Sequence, residues 1–290
     1  MPWHARLKLD YRLETDDSAA ANPRRRCIAR FKHEGPLRIL RSLYPEGDGI
    51  CHNVLVHPPG GLVGGDTLDI DIHAGSGAHG LVTTPGATRF YRSLGEVALQ
   101  RTRITLGEGA RMEWLPLETL CHSGCIAQNH LEMALAPAAE LIGWDVTALG
   151  LPEAGQPFAR GSLLQHFALE DSWLERGRID AGDARLMDGP LGLAGRRCVA
   201  TLFLACGTAL TRERRELALA LARKAVEDHA AAAFPAQVQA GATAPGPKVI
   251  VVRVLTPLVE PAIALLRTVR DAWRPALWNL PPTQPRGWMR

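Results

Sequence analysis

Three short segments of this chain follow one plan. Ile72-His-Ala-Gly-Ser-Gly-Ala78, Ile104-Thr-Leu-Gly-Glu-Gly-Ala110 and Ala134-Leu-Ala-Pro-Ala-Ala-Glu140 each place a strand end before a Gly- or Pro-centred turn and then a small residue. The turns at Gly75, Gly107 and Pro137 stand 32 and 30 residues apart. Recurrence at that period indicates stacked units, each burying the apolar face of its neighbour. The segment Ile179-Asp-Ala-Gly-Asp-Ala-Arg185 is a fourth, more distant copy. Around the turns, Leu68, Ile70 and Ile72 alternate with Asp69, Asp71 and His73, and residues 101–106 alternate likewise. That is the period of a half-buried strand. The expected fold is mostly β: a layered, β-helix or solenoid-like stack of short strands.

The last third changes character. Residues 212–233 are rich in Ala, Leu, Arg, Lys and Glu, with Leu217, Leu221 and Val226 as apolar positions and Thr211 as N-cap. A Pro/Gly/Ala linker over residues 240–247 and a strand over 248–255 follow. A second helix is expected over 258–273, with Ile263, Leu266, Val269 and Trp273 at helical spacing. The chain therefore reads as one domain over residues 1–290. Residues 1–205 are mainly β, and residues 206–290 hold two helices, one strand and a Pro-rich tail.

Bulk properties narrow the function. The chain has 290 residues, 46% hydrophobic and 22% charged, enough for a core without disulfide or metal staples. Six cysteines are too few for a disulfide scaffold. His4, Arg6 and Lys8 stand where a signal peptide would be apolar, and the apolar run 249–255 is far short of the roughly 20 residues of a membrane span. A soluble, cytoplasmic protein is expected. A net charge of +3 and two short Arg clusters, 24–26 and 212–215, read as solvated faces rather than a nucleic-acid surface.

The densest Gly segment is His57-Pro-Pro-Gly-Gly-Leu-Val-Gly-Gly-Asp66. It lacks the Gly-Lys-Ser/Thr ending of a P-loop and precedes a strand, so a phosphate cradle is not indicated. Residues 81–93, Leu-Val-Thr-Thr-Pro-Gly-Ala-Thr-Arg-Phe-Tyr-Arg-Ser, mix hydroxyls, cations and aromatics. Asp145 interrupts an apolar run from Leu141 to Leu149, and a buried acid requires a partner or a function. Cys121-His-Ser-Gly-Cys125 has the spacing of a metal pair, yet a structural zinc site needs four ligands. The only comparable pair, Cys51-His52, is remote in sequence, so small core residues are the expected reading. No serine-nucleophile elbow and no His-Glu-x-x-His pair are present.

The segments 57–66 and 83–93 resemble the central signature of the UreD (UreH) family of urease accessory proteins. Tyr44-Pro-Glu-Gly-Asp48, Glu113-Trp-Leu-Pro116, Gly143-Trp-Asp145, residues 188–195 and Trp273-Arg-Pro275 fit the same family in order. The resemblance implies an assembly factor, not an enzyme. It would bind a helical UreF-like partner and, through it, a UreG-like GTPase, and dock on apo-urease. Nickel would pass through the chain transiently, with no cofactor held tightly. Positions matching the family's passage are Asp66, Thr88, Asp145 and Glu175, with Glu118 facing the passage or an interface. The chain departs from the family at residues 117–125, where Cys121, His122 and Cys125 replace apolar or small side chains. The alternative is a metal-dependent hydrolase using Cys121, His122, Asp66 and Asp145. Docking is expected on the two late helices and an apolar tail, with Trp278, Leu280 and Trp288 exposed in the lone chain.

Overall fold

The computed structural model describes residues 2–16, 24–232 and 238–288. The early strands are β1 (His4–Asp16), β2 (Arg24–Glu34), β3 (Arg38–Ile39), β4 (Cys51–Val56), β5 (Thr67–Ala74), β6 (His79–Thr83) and β7 (Thr88–Phe90). Next come β8 (Ala98–Leu106), β9 (Arg111–Leu115), β10 (Thr119–Cys121), β11 (Cys125–Leu135) and β12 (Glu140–Leu151). After them are β13 (Gln156–Pro157), β14 (Gly161–Leu169), β15 (Trp173–Asp180), helix α1 (Ala184–Asp188) and β16 (Cys198–Cys206). Helix α2 (Arg212–Ala232), β17 (Gln239–Gly246), β18 (Val249–Thr256) and helix α3 (Val259–Trp278) complete the set.

Among the described residues the strands form two sheets. One has the order β15-β14-β11-β8-β5-β1-β2 and the other β17-β18-β16-β12-β9-β6-β4-β3. Strands β1, β5, β8, β11 and β14 run parallel, as do β4, β6, β9 and β12. The chain climbs the stack by laying one strand in the first sheet, turning, and laying the next in the second. Short strands β7 and β10 and the end of β12 make a third, narrow side. The three turns of the repeat sit on one another: Gly77 N–H donates to Glu108 O at 2.9 Å, and Gly109 N–H to Pro137 O at 3.1 Å. A side chain at Gly107 would bring its Cβ within 2.8 Å of the Ser76 nitrogen, so only glycine lets these layers close. The stacked-strand expectation holds. Its fourth copy does not: residues 179–185 leave β15 and enter α1. The fourth layer is instead β14, which returns along itself as the antiparallel β14–β15 hairpin and ends the climb.

Among the described residues two apolar cores result. The first lies between the sheets, with Leu7, Ile70, Ile104, Leu131, Leu141 and Phe167 among its members. The second lies between the second sheet and helices α2 and α3. The second sheet is therefore covered on both faces, and every residue of β12 but its last is buried. The first sheet has one open face, and β8 and β11 alternate buried and partly open residues accordingly.

The late region differs from expectation in four ways. The 240–247 linker is an edge strand, β17, paired antiparallel with β18. Helix α2 faces the core with Ala218, Ala222 and Ala225, while Leu217 is exposed. Small residues let α3 approach so closely that the Trp273 indole N–H reaches Ala218 O at 2.9 Å. Helix α3 runs past Pro275 to Trp278, where Asn279 takes the left-handed conformation that ends it. The apolar tail is not exposed: Trp278 and Trp288 are buried, the Trp288 ring stacks on Trp144 at 5.1 Å, and its N–H donates to Thr83 Oγ1 at 3.0 Å. Residues 289–290 lie outside the described region.

An ion network clamps α3 to the stack. Arg270 donates to both Glu113 oxygens at 2.8 and 3.0 Å, and Arg274 to Glu113 at 2.6 Å and also to Glu46. Glu113, Arg270 and Arg274 are fully buried. Nor is the second Arg cluster simply solvated, because Arg214 pairs with Glu140 of β12.

Candidate functional site

Strands β8, β11 and β14 bring Gln100, Asn129 and Gln165 opposite one another, in one row of the first sheet. Strands β12, β16 and β18 do the same for Asp145, Thr201 and Arg253 in the second. The two rows meet inside the sandwich. Asn129 Nδ2 donates to Asp145 Oδ1 at 2.8 Å, and Gln165 Nε2 to Asp145 Oδ2 at 2.8 Å. Thr147 Oγ1 donates to Asp145 Oδ2 at 2.9 Å, and Gln100 Nε2 reaches Asn129 Oδ1 at 3.5 Å. A polar seam thus crosses an otherwise apolar core.

Burial pushes the Asp145 carboxyl from its ordinary 3.8 up to about 6, against the opposing pull of its three hydrogen bonds and of Arg253. Around neutral pH it is a buried carboxylate with no directly bonded cation among the described residues, held by neutral donors. Such a group attracts positive charge, and each of its present donors is a neutral amide or hydroxyl that can turn aside.

Space accompanies the seam. A cavity of about 10 Å³, room for one water-sized species, is lined by Thr88, Gln100, Thr102, Asn129 and Asp145 with Trp114 and Trp144. The Thr102 hydroxyl is buried with no partner among the described residues. A larger cavity of about 210 Å³ lies outside it and shares Thr88, Gln100, Trp114 and Pro116 as walls. His57, Gly60, Thr84 and Arg89 line its outer part. His57 Nε2 is buried without a partner among the described residues, and burial pulls this imidazole below its ordinary value against the charge of Asp66, keeping it neutral. At the other end of the seam, Arg253 donates to Thr201 Oγ1 at 2.8 Å and pairs with Glu175.

The two Gly- and Thr-rich segments form the outer mouth together. Leu62 N–H donates to Arg89 O at 2.7 Å and Tyr91 N–H to Leu62 O at 2.8 Å, which lays residues 57–66 along β7. Asp66 locks that loop: its oxygens accept from Val63 N at 2.9 Å and Trp3 N at 3.2 Å. It is a buried turn cap beside Gly65, whose φ is +88°, and it does not line either cavity of the seam.

Of the residues singled out in the sequence, Thr88 and Asp145 share one cavity, and Glu175 joins them through Arg253. Glu118 lines a separate groove with Leu258, Ile263 and Arg267, although its carbonyl accepts from Thr88 N at 3.0 Å. Cys121 and Cys125 are fully buried, and the hydrogen bond between their thiols, with burial, pushes Cys121 well above the ordinary thiol value. The His122 ring stacks on Tyr91 at 4.9 Å. Among the described residues no three His, Cys, Asp or Glu side chains are placed to hold a metal ion. The hydrolase set Cys121, His122, Asp66 and Asp145 is therefore not gathered into one centre, since Asp66 serves its loop and the His122 ring packs on Tyr91. Sequence reading missed Gln100, Asn129, Gln165, Thr102 and Arg253. The available signal is a polar residue at an inward position of successive strands in the repeat.

Comparison with known proteins gives a consistent result. A family model described as UreD urease accessory protein matches residues 4–289. A urease accessory protein UreD of Variovorax paradoxus (strain S110) is 62% identical over 288 residues, covering 99% of each chain. That of Paracidovorax citrulli (strain AAC00-1) is also 62% identical with the same coverage. One from Methylibium petroleiphilum is 49% identical over 300 residues, again across 99% of each chain.

Proposed function

The chain belongs to the UreD family of urease accessory proteins, and on that premise we propose that it is a scaffold and nickel conduit without turnover of its own. It carries nickel between a UreF-like helical partner, with its UreG-like GTPase, and apo-urease in the cytoplasm. Nickel is cargo here, held transiently rather than as a resident cofactor. Supporting this reading is one observation above others: a buried carboxylate, Asp145, opens onto a small polar cavity between two sheets. Folding alone gives no reason to place an acid without a directly bonded cation there, because burying it is costly.

The chemistry suits a passing divalent ion. Carboxylate, hydroxyl and amide oxygens are hard, and neutral imidazole is borderline, so Ni²⁺ finds donors without the thiolate cage that would trap it. Conduction requires sites that attract but release. His57 and Thr88 would serve the outer part of the path, and Asp145, with the Asn129 and Gln165 carbonyls turned toward it, the middle. Asp66 would act by holding the mouth in shape. No helix among the described residues is long and apolar enough to cross a membrane.

The test is co-expression of urease and the other accessory proteins with the unmodified chain, without it, or with Asp145→Ala. Omission should leave urease poor in nickel and activity. The Asp145→Ala chain should still join the complex yet leave urease underloaded. Full nickel loading by an Asp145→Ala complex would reduce the chain to a bridging protein.

A further inference from the structure

We propose that Arg253 is the gate of this passage: its guanidinium, set between Asp145 and Glu175, closes the Glu175 end to a divalent cation until the Glu175–Arg253 pair is broken. The inference rests on the conduit reading above. Asp145, Thr201 and Arg253 stand in register on β12, β16 and β18. Asp145 and Arg253 both bond to residues of the opposite sheet, so this row faces the interior. Arg253 is fixed on one side by Thr201 Oγ1 and on the other by Glu175 of β15.

The side chains of Arg253 and Glu175 are 37% and 33% exposed, which puts the pair at the rim where the seam reaches solvent. An ion pair this open contributes little to folding. Its effect on a cation is larger. An ion leaving Asp145 toward Glu175 meets the like charge of Arg253 first, and Glu175, the acid that would receive it, is already neutralised. Repulsion between a divalent ion and a guanidinium a few ångströms away in a half-buried site is strong.

The gate also has a means of opening. Among the described residues, strand β15 is the edge of its sheet and pairs only with β14. The Glu175–Arg253 pair is partly exposed and so weakly held, and when it breaks the guanidinium can swing off the row toward solvent. Glu175 is then free to take the ion. Opening is then the slow event in the assembled complex, and one side chain sets the rate of ion passage.

The experiment follows radioactive nickel into urease in the purified complex of this chain with apo-urease and the other accessory proteins. Complex mass is checked by size exclusion. Arg253→Met should speed nickel arrival roughly tenfold by removing the like charge, whereas Arg253→Lys should keep the original rate. Arg253→Gln retains a donor for Thr201 and should speed arrival likewise, which keeps the test valid if the Met chain fails to assemble. Asp145→Asn, run in parallel, should slow arrival. If the neutral Arg253 variants assemble and are no faster while Asp145→Asn is slow, the gate is overturned and the conduit stands. If Asp145→Asn also leaves the rate unchanged, both fall.

Discussion

Replacing Asp145 with asparagine should change stability and function in opposite directions at alkaline pH. The carboxyl has a value of about 6 in the folded chain, against 3.8 for an ordinary Asp. The folded state therefore keeps this proton to higher pH than the unfolded state does. The stabilisation from the group is fully present below 3.8, declines as pH rises from 3.8 to about 6, and is gone above that. The gap corresponds to about 3 kcal/mol across the whole window. Between pH 5 and pH 8, roughly 1.4 kcal/mol of it is lost. Asparagine does not titrate, so the stability of the Asp145→Asn chain relative to the unmodified one must climb by that amount. With about 0.6 kcal/mol per kelvin of unfolding entropy for a chain of this length, the relative Tm shifts by roughly 2 °C. Any hydrogen bond to Asn129, Gln165 or Thr147 that asparagine makes poorly adds a constant offset and leaves the pH slope alone. The assay is calorimetry or urea unfolding of both chains at several pH values, with nickel delivery measured beside it. Parallel pH curves would refute the reasoning, since Asp145 would then not be a carboxylate ionised at the expense of folding. The cavity it lines would lose its charge-based claim on a cation.

Three further outcomes are expected. Glu113→Ala leaves Arg270 and Arg274 short of their shared buried partner; a loss of about 3–5 kcal/mol, or roughly 5–8 °C in Tm, should appear by calorimetry, and under about 1 kcal/mol would disprove the clamp. Trp288→Ala removes the stack on Trp144 and the bond to Thr83, so urea unfolding should register a loss of about 3 kcal/mol; an unchanged midpoint would mean the tail does not seal the core. Gly107→Val forces the stacked turns apart and should cost about 1–3 kcal/mol, while Gly86→Ala, with open space around it, should stay within about 0.5 kcal/mol; equal effects would count against layer contact at Gly107.

Much of this architecture is legible in the residues themselves. The turns at Gly75, Gly107 and Pro137 imply stacking because a repeated strand–turn unit cannot bury its own apolar face. The alternation over 68–73 and 101–106 shows which side chains face inward. The cap at Thr211 is visible too, and its hydroxyl does accept from Arg214 N at 3.3 Å. The acid at 145 is conspicuous because it breaks an apolar run. These are local signals, carried by neighbours in the chain.

What the sequence could not decide was partnership across distance. Glu113 and Arg270 are 157 residues apart, and nothing near either announces that they share hydrogen bonds. The Ala face of α2 loses to its leucines in a reading by hydrophobicity, because closeness of approach to Trp273 chose the buried stripe. The apolar tail reads as exposed because its cover, Trp144 and Thr83, lies on strands far upstream. Asp66 and Asp145 look alike as candidates, yet one caps a loop and the other faces a cavity. Gln100, Asn129 and Gln165 are ordinary singly, and only the register of three parallel strands aligns them before Asp145. Patterning along a chain sets which face of each strand is buried. Which buried groups meet depends on how the two sheets close on each other, and that follows from the packing of the whole stack.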